Sequence, residues 1–432
     1  MIFLQLTIEL PELQEKSRAE VDFSGGIRYN NKKRHEGKSM NDKTRFLFFF
    51  AAMVLFNMAA NFAHPVTPTI IQDLQLPDYM FGLMLACTQF TNFLFSPFWG
   101  KMNVSISSRK TLLICCVGYG VSQLGFACAT TQAMILLVRI LAGVFVGGIF
   151  VSFLTYVINV AKPEDQAKYL TYSATITAVC GAFGYLVGGV LGEFSIRGTF
   201  FLQAFCLCLA GVIFRLVCLP DGNQERVPLR EISREANPLK AFADGKHFLN
   251  RAFVLLFAVN LLMNFANTGF DQVFNYYLKD QLGLTSSYNG IIKAAVGLIS
   301  FGFNMTLCLW IIRKTDTKVS MAVLMGLCTL AAAGTLVPSE IGLFIGLSVF
   351  VYAGYSVSLP VLQHMVAEEA DLAQKNLVMG FYNALKSLGS VVGSLMAGFL
   401  YAVHTKLPFV VVAAAYGCSM LAALVYLVKK RK

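Results

Sequence analysis

Long runs of apolar residues recur along the whole chain and limit what it can fold into. Each run has roughly 18 residues or more, enough for a helix to cross a bilayer, and none alternates apolar with polar residues as barrel strands do. Only 14% of the residues are charged, against about 25% in soluble domains. The sequence therefore predicts an all-α polytopic membrane protein with twelve transmembrane helices, at 46–71, 80–99, 111–129, 133–160, 170–191, 199–219, 252–278, 289–312, 319–337, 341–363, 377–402 and 407–428.

The basic residues lie mainly in alternate connections between these runs. They are dense before the first run, between Arg226 and Arg251, and in KKRK at the end, and others lie in the short connections on the same side, whereas the connections on the opposite side hold only Arg197, Lys279 and Lys406. Because basic connections stay in the cytoplasm, this asymmetry predicts a multi-pass protein of the cell membrane with both termini cytoplasmic. The net charge of +11 then indicates membrane lipid as a partner, and we expect no nucleic acid.

Polar segments divide the chain into five parts. The first is polar and aperiodic, which predicts a disordered leader, and Met40 within it is a candidate for the true start of the protein. The parts are a cytoplasmic leader at 1–43, a six-helix half at 44–219, a cytoplasmic linker at 220–250, a second six-helix half at 251–428 and a basic cytoplasmic tail at 429–432.

The two halves also resemble each other in sequence. NMAANFAHP at 57–65 returns as NLLMNFANT at 260–268. Two further pairs follow in the same order at a similar offset: LQLPDYMFG with LGLTSSYNG, and GYLVGG with GSLMAG. Both copies begin on the cytoplasmic side, so the pattern predicts two parallel repeats related by an axis along the membrane normal.

Two six-helix halves with a basic linker resemble the major facilitator superfamily, over roughly residues 44–430. The loop after the second span, GKMNVSISSRK, keeps Gly100, Arg109 and Lys110 of the gating motif of that family but has Val104 where the motif has Asp. The fourth span keeps the Arg and the small residues of its family pattern in LLVRILAGVFVGG.

The fifth span contains GAFGYLVGG, which is similar to a motif of the antiporters in this family. Tyr185 stands where that motif has Pro. The resemblance implies that Gly184, Gly188 and Gly189 take part in gating, and it favours the drug exporters of the family.

The family resemblance implies secondary transport by alternating access. The two halves would rock about a site near the middle of the membrane, coupled to protons or another ion, and would export amphipathic drugs or other small molecules. Two alternatives stay open: a symporter or exchanger for a small anionic metabolite, and a non-transporting membrane sensor on the same fold. The sequence has no GxxxxGK[ST] loop, which argues against a pump driven by nucleotide hydrolysis.

The sequence predicts a transport protein and not an enzyme. All eleven Cys fall inside the predicted helices, and none has a CxxC or Cys/His spacing, so we expect no metal and no disulfide. No nucleophile motif or cofactor loop stands out, so we expect no cofactor and no catalytic residue. The expected partners are a small-molecule substrate, a coupling ion and lipid, and we expect a monomer.

Polar side chains concentrate on the spans that line the central cavity in this family. On the first and seventh spans they recur at spacings of three and four, which places them on one helix face. An Asn in such a position either faces the cavity or joins two helices by a hydrogen bond. The predicted substrate-binding residues are Asn57, Asn61, His64, Asn264, Asn267, Tyr352, Tyr355, Asn383 and Lys386.

Charged residues inside the apolar runs are the candidates for proton coupling, because an ion in the membrane needs water or a partner. Asp271 and Lys293 lie at similar depth, so they form a salt bridge or Asp271 exchanges a proton. The family position of Arg139 favours coupling or a structural role. Lys386 has no obvious acidic partner, which favours contact with an anion over pairing with Asp271 or with carbonyl groups. His64 either titrates near neutral pH or is a neutral, hydrogen-bonded ring.

Overall fold

A computed structural model describes residues 42–221, 249–337, 340–371 and 375–431, together with Asn237. The predicted leader, the Met40 start and most of the predicted linker lie outside these residues. The described part is helical and contains no strand. Its α-helices are α1 (Asp42–Ala60), α2 (Thr67–Asp73), α3 (Met80–Ile106), α4 (Ser108–Cys128), α5 (Gln132–Val160), α6 (Pro163–Phe194), α7 (Ile196–Val217), α8 (Arg251–Asp280), α9 (Ser286–Phe303), α10 (Leu309–Lys314), α11 (Thr317–Gly334), α12 (Ile341–Glu369), α13 (Lys375–Val403) and α14 (Leu407–Arg431).

These helices form the twelve predicted spans. Within the described residues, eleven stretches are long and apolar enough to cross a membrane. The remaining span is α3, which is 27 residues long but carries polar side chains such as Gln89 and Asn92 that lower its hydropathy. The last helix continues through Arg431, so most of the predicted basic tail extends α14.

The first span is a broken helix. α1 ends at Ala60, a short 3-10 turn covers His64–Val66, and α2 follows. Pro65 and Pro68 lack the backbone N–H that a continuous helix would need, so the ladder of hydrogen bonds stops here. The eighth span is also irregular, because a π-helical turn at Asn304–Cys308 joins α9 to α10.

The two halves of the chain pack as two helix bundles. In the first half α3 packs on α5, α4 on α5 and α7, and α1 on α6 and α7; in the second half α8 packs on α13 and α14, and α11 on α12 and α14. The halves meet through α3 with α13, α6 with α9, and α8 with α2 and α3. Helices α4, α7, α11 and α14 make their extended contacts within their own half, as expected for helices at the periphery.

The contacts between the halves lie near one end of the bundle. We call the end with residues 107, 161, 221, 315 and 370 the basic end, and the other the opposite end. At the opposite end Tyr276 donates a hydrogen bond to Asp78 at 2.7 Å, and the backbone N–H of Ser287 donates to Glu193 at 3.0 Å. Ser394 donates to the carbonyl of Gly82 at 2.8 Å. The molecule is therefore closed at the opposite end.

Two close helix crossings complete this closure. Gly82 on α3 packs against Gly398 on α13, and Gly189 on α6 packs against Gly290 on α9. A Cβ atom added to Gly82 would lie 2.2 Å from the carbonyl oxygen of Ser394, and one on Gly189 would lie 2.5 Å from that of Ser286. Only glycine permits such an approach of two backbones.

Candidate functional site

A buried charge cluster occupies the second half of the molecule. Lys293 on α9 forms a salt bridge and a short hydrogen bond with Asp271 on α8. Tyr352 on α12 accepts a hydrogen bond from Lys293 at 2.7 Å and lies 3.0 Å from the same carboxylate oxygen. The ammonium group also lies over the rings of Phe274 and Tyr352. Of the two alternatives that the sequence leaves open, the salt bridge is therefore present, and it ties three helices together.

The charge cluster is unequally exposed. The side chain of Lys293 is 5% exposed, whereas that of Asp271 is 30% exposed. The second carboxylate oxygen of Asp271 accepts a hydrogen bond from Gln272 at 3.3 Å. Asp271 is therefore the member of the pair that water or a proton can reach.

A chain of amide groups runs beside this cluster on α8. Asn264 donates to the backbone and side-chain oxygens of Asn260, and Tyr355 on α12 donates to Asn264 at 2.8 Å. Asn260 in turn donates to the carbonyl of Tyr382 on α13 at 2.8 Å. These two Asn side chains are buried, so in this state they join helices, which is the second of the two roles that the sequence allows.

The first span repeats part of this arrangement. Asn61 donates to the carbonyl of Asn57 at 2.8 Å, as Asn264 does to that of Asn260. Asn57 is 2% exposed and donates to Met53 four residues earlier. The sequence repeat thus corresponds to the same local hydrogen bond in both halves.

His64 lies at the break between α1 and α2. Its ring stacks on that of Tyr185, with centroids 5.2 Å apart and planes inclined by 17°. Its carbonyl accepts a hydrogen bond from Asn275 on α8 at 3.2 Å, a contact between the two halves. The helix break therefore places His64 at the boundary between the two halves.

A cavity of about 230 Å³ lies beside His64, where α1, α2, α3 and α5 face α8. Its wall combines aromatic rings (Phe56, Phe81, Tyr119, Phe150 and Tyr276) with polar groups (Asn61, His64, Gln89, Arg139, Gln272 and Asn275). Of the predicted site residues, it brings together Asn61, His64 and Arg139. The cavity adjoins the charge cluster, because Gln272 belongs to its wall and also bonds to Asp271.

Arg139 is the cation in the wall of this cavity. Its guanidinium carbon lies 4.0 Å from the centre of the Phe126 ring. The Nε atom is buried and has no hydrogen-bond acceptor among the described residues. No described carboxylate forms a salt bridge with Arg139, so its charge has no counterion among the described residues.

The other predicted substrate residues lie outside the cavity wall. The side-chain oxygen of Asn267 is buried and has no partner among the described residues. Asn383 and Lys386 lie on α13, where Asn383 is exposed and Lys386 is half-buried. No ion pair joins Lys386 to a described carboxylate, and the pairing with Asp271 that the sequence leaves open does not occur.

The cavity wall also contains residues that the sequence pattern does not predict, among them Thr67, Thr88, Tyr119 and Gln272. Thr67 lies one turn beyond His64, and Gln272 follows Asp271 directly, so proximity in sequence to a predicted residue is a usable signal for both. Tyr119 lies on α4, a peripheral helix, where nothing in its sequence context points to a site.

The family of the chain follows from comparison of its sequence with known families. The sequence profile of the Major Facilitator Superfamily matches residues 47–352 and 331–432, which is most of the chain. The chain belongs to this superfamily.

Individual superfamily members agree with this assignment. Multidrug resistance protein 2 of Bacillus subtilis (strain 168) is 21% identical over 376 residues, covering 86% of this chain and 92% of the relative. Quinolone resistance protein NorA of Staphylococcus aureus (strain COL) is 21% identical over 395 residues, covering 90% and 97%. The crystal structure of the nucleoside transporter NupG superposes with a TM-score of 0.72 at 14% identity, covering 91% of this chain and all of NupG.

These comparisons confirm three predictions from the sequence. The fold is the twelve-helix fold of the superfamily, built from two six-helix repeats. The protein is a multi-pass membrane protein. It is a transport protein for small molecules and not an enzyme.

An acid from outside the gating motif bonds to the loop that carries this motif. Asp221, just beyond α7, accepts hydrogen bonds from the hydroxyl of Ser107 and the backbone N–H of Ser108, both at 2.7 Å. Asn159 also lies 3.4 Å from its other oxygen. The first turn of α4 thus receives a carboxylate from a distant part of the chain, although Val104 replaces the acid of the motif.

The hydrogen bond to Asp221 also holds Ser107 in an uncommon backbone conformation. Its φ angle of 81° lies in the left-handed region, which is uncommon for a residue with a side chain. Of the predicted gating residues here, Arg109 is half-buried, Lys110 is exposed, and Gly100 has room for a Cβ atom beside Val151. The unusual backbone conformation in this loop is therefore at Ser107 and not at the motif glycine.

The predicted gating glycines of α6 lie where helices touch. Gly184 and Gly188 pack on the carbonyls of Met58 and Phe62 on the first span, and Gly389 and Gly393 pack on those of Leu261 and Phe265 in the same way. In the structure Gly184 therefore corresponds to Gly389, which lies one helical turn before Gly393. The sequence pairing of GYLVGG with GSLMAG aligns Gly184 with Gly393 instead. Gly189 instead faces Gly290 across the boundary between the halves.

Proposed function

We propose that this protein is a proton-coupled secondary transporter that exports amphipathic small molecules across the cell membrane. The basic end faces the cytoplasm, both termini are cytoplasmic, and the protein works as a monomer. In this orientation the closed opposite end is the outer one. The multidrug and quinolone resistance relatives support the export of amphipathic compounds.

The observation that carries the proposal is the charge cluster of Asp271, Lys293 and Tyr352. Asp271 is the only described carboxylate in the interior of a transmembrane helix, and it is held by a buried cation and a hydroxyl group. A proton that binds Asp271 neutralises the carboxylate and removes its attraction for Lys293. Because the cluster joins α8, α9 and α12, the gain or loss of one proton changes how the second half holds together.

The cavity supplies the second component of a transport cycle. The aromatic rings and polar groups in its wall fit a compound with both an apolar body and polar groups. Gln272 links the cavity wall to Asp271, so substrate and proton can compete through neighbouring side chains. Such competition is the property that an antiporter needs.

The test is transport by the purified protein in liposomes with an imposed pH gradient. Asp271→Asn cannot exchange the proton, so we expect proton-driven accumulation of substrate to be lost while counterflow exchange persists. Asp73→Asn, at an exposed carboxylate at the opposite end, is the matched control and keeps both activities. Unchanged proton-driven transport in Asp271→Asn would remove this residue from coupling.

The same experiment separates the remaining alternatives. A sensor would bind ligands in a thermal-shift assay but would move none of them across the liposome membrane, either by proton-driven accumulation or by counterflow exchange. A symporter for a metabolite would accumulate its substrate in the direction of the proton gradient and not against it. Either result would contradict export.

A further inference from the structure

The cavity beside His64 has a net positive wall. Arg139 is its charged member and cannot lose its proton in a protein. The other polar groups of the wall are neutral amides, hydroxyls and the His64 ring. Two described acids bond to residues of the wall: Asp271, which Lys293 and Tyr352 already hold, and Asp78, which accepts a hydrogen bond from Tyr276.

Arg139 is also poorly satisfied by the protein. It is the eighth residue of α5 and so lies inside the fourth span, where an ion needs a partner. Phe126 covers one face of the guanidinium group, and no described carboxylate pairs with it. The Nε atom carries one of the five donor N–H groups, and none of the described residues accepts a hydrogen bond from it.

Unused hydrogen-bonding groups face the same space. No hydrogen bond joins the side chain of Gln89 or the ring nitrogens of His64 to another described residue. The amide groups of Asn275 and Gln272 are in contrast taken, by His64, Asn289 and Asp271. The free donors thus cluster on the side of the cavity that belongs to the first half, around Arg139.

We propose that Arg139 binds an acidic group of the substrate, so that the transported compounds include amphipathic carboxylates. A guanidinium group and a carboxylate form two parallel hydrogen bonds, a geometry that an ammonium group cannot match. This assigns Arg139 a direct contact with substrate in place of the coupling role that its family position suggests. The inference rests on the proposed transport function, because it names the substrate class of that site.

The size of the cavity indicates which part of the substrate it holds. At about 230 Å³ it is smaller than the roughly 300–1,000 Å³ of pockets that enclose a whole ligand. It therefore encloses the acidic head and the first ring or chain segment. The aromatic side chains of its wall then contact the apolar body.

The test compares matched acids, amides and amines. Purified protein is titrated with naphthoate, naphthamide and naphthylmethylamine, and with decanoate, decanamide and decylamine, by thermal shift and calorimetry. We expect the acid of at least one series to bind roughly tenfold or more tightly than its amide and amine. If neither acid is preferred, the proposal is wrong.

Three variants identify the residue that is responsible for the preference for acids. In Arg139→Gln we expect the acid to fall to the affinity of the amide, whereas the amide binds as before and thereby shows that the variant is folded. Arg139→Lys keeps the charge but not the paired donors, so part of the preference remains. Lys386→Gln tests the residue for which the sequence favours contact with an anion; because Lys386 lies outside the cavity wall, we expect this variant to keep the preference. Loss in Lys386→Gln with retention in Arg139→Gln would overturn the assignment.

The outcomes also distinguish this inference from the transport function. Proton-driven movement of the amides or amines, without any preference for acids, would leave the proposed transporter standing and refute the role of Arg139. Binding of acids that depends on Arg139, without movement of any probe across a liposome membrane, would support the site and refute transport.

Discussion

At the scale of single residues, an Asn in a membrane helix has two possible uses, and neighbours decide between them. Asn264 is buried and bonded to Asn260 and Tyr355, whereas Asn61, its counterpart in the first half, lies in the cavity wall. The spacing of three and four residues is the same for both. The spacing thus predicts the helix face, but which partner helix covers that face depends on contacts between distant parts of the chain.

Replacement of Asn264 by Ala should destabilise the protein. It leaves the hydroxyl of Tyr355 without its acceptor and removes two bonds to Asn260, for which we expect a loss of about 1–3 kcal/mol in the free energy of unfolding. Asn383→Ala, at an exposed side chain, is the control and should stay within about 0.5 kcal/mol. Thermal unfolding in detergent measures both, and equal melting temperatures would show that the buried network contributes nothing.

At the scale of helices, the sequence predicts the elements better than their irregularities. Long apolar runs identify all twelve spans, because the bilayer requires about 20 apolar residues per helix. The break at His64 is different: Pro65 and Pro68 permit it, but transmembrane helices also tolerate Pro without breaking. The ring of His64 reaches the space between the halves because the break turns it there, and no periodicity encodes that turn.

The first turn of α4 provides a prediction about an element held by a distant residue. Asp221→Ala removes the acceptor for Ser107 and Ser108, so we expect a loss of about 0.5–2 kcal/mol, typical for a helix N-terminus deprived of its cap. Asp221→Asn keeps an oxygen at that place and should retain most of the stability. Melting temperatures that fall equally for Ala and Asn would show that the negative charge, and not the hydrogen bond, is what matters.

At the scale of the whole molecule, one end holds the halves together. The contacts between Gly82 and Gly398 and between Gly189 and Gly290 involve backbone atoms, so they can separate without exposing large apolar side chains. The sequence repeat indicates that these glycines matter, yet it places the GYLVGG motif one turn away from its structural counterpart. Contact across the boundary depends on the relative position of two rigid bundles, which a comparison of the halves alone does not contain.

Gly82→Ala should therefore shift the molecule toward opening at the opposite end. Its Cβ would lie 2.2 Å from the carbonyl oxygen of Ser394, so α3 and α13 must move apart. Spin labels are attached to cysteines introduced at Thr131 and His404, after the exposed Cys128 and Cys418 have been replaced. Double electron–electron resonance should then show a longer distance between the two labels than in the parent protein. Gly342→Ala is the control, because no atom lies within 4 Å of its added Cβ. An unchanged distance in Gly82→Ala would mean that the crossing does not restrain this end.

The unbroken last helix has a practical consequence. α14 continues to Arg431 and is fastened near its end by Tyr426 and Lys430, which both bond to Glu369 on α12. A fluorescent protein joined directly after Arg431 would therefore rotate rigidly with the second half. The polarisation of its emission would then follow the rocking of the molecule in real time, without chemical labelling of any side chain.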